Sequence, residues 1–380
     1  MSNNRDLADL GKSAEAINID ASAPADSLTI DSSGNATFTP TTQLSHRNLI
    51  INGAMQVAQR GTSKASVGAE YATVDRFKLN GSSGTFTMSQ ESDAPNGFSY
   101  SLKMLSTANT TLSANDLREV YIPLEGQNLQ HLKKGTSDAE NVTLSFYVKS
   151  NVTGTKTVYL LDKDNTRLIS ANYTINSSAT WEKKTITFSG DITGALNNDN
   201  GRSLDVHFPI LAGTDWTSGT QATSWAADVS ADRISSSMTQ IDSTNDYWQI
   251  TGIQLEVGSV ATPFEHHSYG EELALCQRYF IRFKTLNGSA GLMNVMARSS
   301  SALYGVIHLP TPMRVSPTLT YSGSFTVYFG STSTTSATFT NNGASNSSIE
   351  IYILASGGTA GDGGWVRLNS GATFDLDSEL

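Results

Sequence analysis

Residues 153–175 read TGTKTVYLLDKDNTRLISANYTI, two runs rich in Thr, Val, Ile, Leu and Tyr on either side of the polar segment DKDNT. β-Branched and aromatic residues favour extended backbone, and a short run of Asp, Asn and Lys favours a reversal, so the stretch predicts a β-hairpin. Working outward, SLKM at 101–104 and VTLSFYVKS at 142–150 alternate with the two-residue period of a half-buried strand. The same reading predicts strands at 48–51, 72–79, 85–89, 99–105, 118–122, 142–149, 155–161, 167–175, 183–188, 204–211 and 247–256. No strand–helix–strand rhythm with long crossovers is present. The expectation is therefore an all-β chain built on a jelly-roll-like antiparallel β-sandwich, not a doubly wound nucleotide fold.

The length of 380 residues allows two or three domains. Charged residues make up only 16%, and the formal net charge is −10. The remaining polarity comes from hydroxyls and amides, which suits an extracellular protein of short strands and many turns. An acidic chain without a dense basic run does not match a phosphate backbone, so no nucleic-acid partner is expected. No stretch approaches the roughly 20 apolar residues that span a bilayer, so no membrane insertion is expected. The opening MSNNRDLADL lacks the apolar core and cleavage pattern of a secretory signal.

Residues 247–280, YWQITGIQLEVGSVATPFEHHSYGEELALCQRYF, change character midway. An alternating strand ends at Val257 and Gly258; after Pro263 and two histidines, Leu273, Cys276, Tyr279 and Phe280 recur at helical spacing. This predicts a strand, an exit and a short helix joining two domains. The segment ITGIQLEVGSVATPFEHHSYGEELALCQRYF, with RNLIINGAMQVAQRG at 47–61 and YATVDRF at 71–77, resembles tail-fibre and related appendage proteins of tailed bacteriophages and prophages. The resemblance covers roughly residues 47–280. It implies a virion protein, in the tail and assembled in the host cytoplasm, with a carbohydrate-binding-module-like β-sandwich leading into a variable C-terminal part. It also implies a homotrimer and VDRF in an early core strand, where Asp75 and Arg76 would need buried partners.

The expected domains are a virion-attachment or oligomerisation arm at 1–43, the sandwich at 44–268, a helical junction at 269–280 and a C-terminal β-domain at 281–380. In the arm, residues 32–35 supply a turn between apolar alternations at Leu28, Ile30, Ala36 and Phe38. The C-terminal part predicts strands at 303–309, FTVYF and SIEIYIL, and a final hairpin or edge pair from WVRLNSGATFDLDSEL.

Catalytic constellations are missing: there is no serine nucleophile elbow, metalloprotease helix motif or phosphate-cradling glycine loop. Asp93, Glu119 and Glu125 do not make a glycosidase pair from sequence order alone. No enzyme activity is expected. Cys276, the single cysteine, is expected to pack in the core, and adjacent His266 and His267 diverge too far to share a metal. Residues 161–166 contain ligands suited to calcium, but a hairpin turn accounts for them; no cofactor is assigned, and a structural calcium from residues distant in sequence stays open.

The ligand-binding candidates lie in the poorly periodic 213–247. Trp216 and Trp225 stand among Asp215, Gln221 and Asp228, and an indole can stack on a sugar while amides and carboxylates bind its hydroxyls. Trp181 and Trp248, in strand-like runs, are expected in the core. The functional expectation is a tail fibre that adheres to a bacterial surface glycan. The alternatives are a structural adaptor or head fibre connecting virion components, and a polysaccharide depolymerase.

Overall fold

The computed structural model describes residues 46–380, together with the backbone of Leu28–Ile30 and Ala36–Phe38. Those two short strands pair antiparallel, Leu28 opposite Phe38. Contacts divide the chain into Met1–Arg47 and Asn48–Leu380. The second unit holds both the sandwich and the C-terminal sheets.

Two six-stranded antiparallel sheets form the sandwich. The first runs Ala226–Ala227, Arg167–Ile175, Gly154–Asp162, Arg202–Ala212, Leu117–Glu125, Lys78–Asn80. The second runs Glu182–Phe188, Val142–Ser150, Tyr247–Val257, Ser101–Ser106, Phe86–Glu91, Ser63–Lys64. The hairpin at 153–175 is present as expected, with Arg167 opposite Asp162 and Ile175 opposite Gly154. Between the sheets, Phe146 meets Phe208 edge-on at 5.3 Å and Tyr173 at 5.1 Å. The Trp248 indole N–H donates to the Tyr173 hydroxyl at 3.0 Å, so the one polar edge of a fully buried tryptophan is satisfied inside the core.

Two expected strands are not formed. Residues 48–51 run as loop and turn, joined to the sheet by the Leu49 N–H bond to Leu255 O at 2.9 Å. Of 72–79 only the end is extended, because Arg76 adopts φ 74°, which no strand accommodates. Asp75 and Arg76 are nevertheless buried, as the resemblance implied, and partnered as buried charges must be, in a network that ties the sandwich to the far end of the chain.

The helix Tyr269–Gln277 starts at a capping box, with the Ser268 side chain accepting from the Glu271 N–H and the Glu271 carboxylate accepting from the Ser268 N–H. It buries Cys276 and delivers Tyr279 and Phe280 into the core. Two further sheets follow. One has three strands, Phe280–Lys284, Thr373–Asp377 and Thr318–Ser322. The other has seven, in the order Thr332–Thr334, Phe325–Phe329, Gly363–Leu368, Ala290–Ala297, Ala302–His308, Ser348–Leu354, Thr338–Ala344. They enclose a second core around Phe325, Phe339, Ile351 and Phe374.

The last residues return to the sandwich. Arg76 pairs with Glu379, donates to Pro123 O at 2.8 Å and lies 3.4 Å from the Tyr279 ring centre. Arg60 reaches Glu379 at 3.3 Å and Asp377 at 3.0 Å while stacking on Phe280 at 3.5 Å. Arg278 grips Glu125 through two 2.8 Å bonds, and Arg282 grips Asp375. Glu379→Ala strands Arg76 without its anion and should cost about 3–5 kcal/mol in denaturant unfolding; a loss under about 1 kcal/mol would contradict the clasp. Burial raises the Asp75 carboxyl from 3.8 to about 6, against the pull of Arg60 and Gln59. Because the folded value lies above the unfolded one, stability should fall as pH rises from about 4 to about 6. Asp75→Asn should remove a slope worth roughly 3 kcal/mol in all, read by urea unfolding across that window.

Candidate functional site

The outer faces of the two sandwich sheets have different fates. On the first, Tyr121, His207 and Tyr159 occupy opposed positions on three neighbouring strands and stack as parallel slabs, His207 lying 5.0 Å from one ring and 4.4 Å from the other. Nδ1 of His207 is 3.1 Å from Glu119 and Nε2 is 3.3 Å from Asp205. Burial opposes a charge on the imidazole, but the two carboxylates outweigh it and hold His207 above the usual histidine range. Burial likewise opposes the Glu119 anion, and His207 with the Tyr159 hydroxyl brings that carboxyl down to about 2. An ion pair sealed between aromatic rings suits a structural role.

The seal is the segment expected to hold the ligand. Ile234 and Met238 pack with Tyr159, Leu161 and Leu168 into a small cluster, and Trp216 lies half-buried against it. Its indole N–H donates to Asn115 O at 3.2 Å, and Arg233 stands 5.3 Å from the ring centre, held in turn by Asp228 at 2.5 Å. Trp225, also half-buried, packs against the main core instead, donating to Ser189 O at 2.7 Å. Gln221 is bonded to Ser170 and Asn172, both at 2.9 Å, while Asp215 is exposed in the short turn of helix Thr214–Thr217. Trp216, Arg233 and Asp228 therefore stand together, and Trp225 lies against a different apolar cluster.

Beside Trp225, the turn at 162–166 forms as expected, Asp162 accepting from the Asp164 and Asn165 N–H groups at 2.9 and 3.0 Å. The other oxygen of this buried carboxylate meets the Lys134 ammonium at 2.5 Å. Asp191 at 2.9 Å, Thr193 O at 3.0 Å and Gly194 O at 2.9 Å complete the ammonium's surroundings. Two carboxylates and two carbonyls make an oxygen cage of the kind that suits a hard cation, and here a lysine fills it.

The second sheet presents its outer face differently. Gln249, Thr251, Gln254 and Glu256 point outward yet are buried, because they fasten two loops across the strands. Gln249 donates to Ser101 Oγ at 3.0 Å, Thr251 donates to Tyr100 O at 2.7 Å, and Glu256 accepts from Thr262 at 2.6 and 2.9 Å. A bulge between Thr251 and Gln254 puts Gly252 at φ 61°, and a Cβ there would stand 2.6 Å from the Phe98 ring. Glycine at 252 thus lets Phe98 lie on the sheet.

Phe98 gathers a strip of half-exposed rings. It lies 5.5 Å from Tyr147, 5.0 Å from Phe264 and 5.2 Å from His266. Two residues along the strand from Tyr147, Lys149 binds Asp93 at 2.7 Å and stands 5.9 Å from the Trp181 ring centre. The Trp181 indole N–H donates to the same Asp93 carboxylate at 3.1 Å. Burial pushes this carboxyl up, but the bonds from Lys149 and Trp181 prevail and keep it ionised. Trp181, expected in the core, is instead half-exposed at the sheet edge; Trp248 is in the core as expected. Sequence reading missed this strip because its rings come from four separate stretches, and only the adjacent histidines and the ITG glycine marked it.

No family model matches the chain, and no curated protein matches it. Among solved structures it is similar to the enzymatically active domain of tailspike protein 4 from bacteriophage CBA120, at 12% identity over 56% of this chain and 21% of that one, with a TM-score of 0.31. A putative sugar binding protein from Bacteroides thetaiotaomicron is 12% identical over 56% of this chain and all of its own, with a TM-score of 0.31. The family 11 carbohydrate-binding module of a Clostridium thermocellum cellulase is 12% identical over 59% of this chain, with a TM-score of 0.27. The chain spans about a fifth of the tailspike chain, and such values do not define a family.

Lys134→Ala leaves Asp162 buried without a cation, while Asp191 keeps Arg167 at 2.7 Å, so it should cost about 3–5 kcal/mol. Millimolar calcium should restore part of that loss in the variant and leave the wild type unmoved in thermal unfolding. A wild type whose melting point rises with calcium would contradict the lysine-filled cage.

Proposed function

We propose that the protein is an adhesion component of a bacteriophage tail appendage that holds a host-surface glycan without breaking a bond. The observation that carries this reading is the strip of half-exposed rings from Trp181 through Tyr147 and Phe98 to His266, set beside the Asp93–Lys149 pair. Sugar rings present flat C–H faces and equatorial hydroxyls; aromatic rings match the first, and a fixed carboxylate with an ammonium matches the second. The resemblance of residues 47–61, 71–77 and 250–280 to phage appendage proteins supports the virion setting. Weak single contacts suit such a setting, because several identical tips raise the effective concentration of each.

Trp181→Ala and Tyr147→Ala should each weaken binding of purified protein to host cells by about tenfold, equivalent to about 1.4 kcal/mol, with melting temperature near wild type. Trp216→Ala and Trp225→Ala should instead lower the melting temperature, since both rings pack on buried clusters. Unchanged adhesion by correctly folded Trp181→Ala and Tyr147→Ala proteins would sink this site, and strong adhesion loss confined to Trp216→Ala and Trp225→Ala would move it to the 213–247 segment.

A further inference from the structure

An antiparallel sheet with one face on a core ordinarily turns polar residues outward on the other. The seven-stranded sheet does not. On its outer face Met296, Val306, Leu354 and Trp365 are 62%, 48%, 46% and 39% exposed, on four consecutive strands. Tyr304 pairs with Tyr352 across two of these strands at 5.3 Å, and Trp365 stacks on Tyr328 at 4.7 Å and 12°. A shallow recess of about 320 Å³ lies between Asn294, Met296, Tyr304 and Glu350. A broad, shallow surface of Trp, Tyr, Met and Arg has the composition of a protein interface core more than of a cleft for a small ligand.

Charge selects the partner. A chain of net charge −10 repels its own copies over most of its surface. This face carries two arginines, Arg298 beside Tyr304 and Arg367 beside Tyr328, against the single carboxylate Glu350. Arg367 and Glu350 lie three strands apart, roughly 14 Å at the usual spacing, too far to pair within one chain. A neighbouring copy that overlaps the face from the side can bring its Glu350 to Arg367 while covering the exposed rings. We propose that the outer face of the seven-stranded sheet is the surface through which copies of this chain associate, with Arg367 of one copy set against the carboxylate of the next. The proposal does not depend on the glycan reading.

Light scattering on the full chain at micromolar concentration gives the test. Wild type should have a mass that is a multiple of the monomer's, and Met296→Glu with Val306→Glu should raise the dissociation constant at least about 30-fold, with circular dichroism unchanged. Arg367→Glu and Glu350→Arg should each weaken association, and the double reversal should restore it, which no intrachain role of either residue would produce. A wild-type monomer, or an assembly indifferent to these substitutions, would overturn the proposal. So would a monomer whose host-cell adhesion is lost in the glutamate variants, an outcome that gives the face to an outside ligand.

Discussion

A guanidinium as deeply buried as that of Arg76 is tolerable only where an anion and further acceptors surround it. Here the anion comes from Glu379, next to the end of the chain, and the acceptor from Pro123 on the last strand but one of the first sheet. The aromatic lid is Tyr279, at the exit of the junction helix. Three parts of the sequence that are far apart must therefore arrive together before this charge is satisfied. Arg60 and Arg278 repeat the pattern around it, each binding a carboxylate across the junction, and Arg282, paired with Asp375 on the neighbouring strand, donates to Arg60 O. The consequence is mechanical: the C-terminal sheets are held on the sandwich by desolvated charge pairs rather than left on a linker.

The same economy of polar groups decides which outer face of the sandwich stays accessible. On the first sheet Glu119 and Asp205 point outward from strands that are buried on both sides, and they are neutralised by His207 and Arg202 beneath a folded-over segment. Covering that face removes it from contact with solvent. On strand Tyr247–Val257 of the second sheet the outward polar residues are uncharged apart from Glu256, and they bind loop backbone and hydroxyls instead. Those loops cover the strands only in part, so the rings they carry, Phe98 and Phe264, remain half-exposed beside Tyr147.

Much of this is legible in the sequence where one local signal suffices. Nine of the eleven sandwich strands expected from alternation are present, 167–175 to the residue, because period two reports directly on a face packed against a core. The failure at 72–79 comes from Arg76 in left-handed backbone, and 48–51 runs directly into another such residue, Asn52, neither of which side-chain pattern reveals. Trp181 defeats the same pattern for a related reason: it just precedes a strand at the sheet edge, where a strand-like context does not imply two covered faces. Strands 290–297 and 338–344 give little signal because glycine, asparagine and methionine dilute their alternation. Burial of Cys276 follows from its chemistry and that of Asp75 and Arg76 from the resemblance, but the anion that Arg76 requires lies 303 residues away and no local pattern announces it.

The rigid clasp also bears on how weak contacts become useful. If the C-terminal sheet moved freely on the sandwich, association through its outer face would leave each aromatic strip to search for its ligand independently, and effective concentration would be set by a loose tether. With Arg76, Arg60 and Arg278 holding the two parts together, the proposed association through the C-terminal sheet would fix the spacing and direction of the proposed ligand strips. Fixed geometry favours ligands that repeat at a matching interval, as a polysaccharide chain or a dense glycan surface does, and excludes scattered sites that single contacts would accept. On the proposed glycan reading, a buried ion network with no place in the ligand contact would in this way act on selectivity.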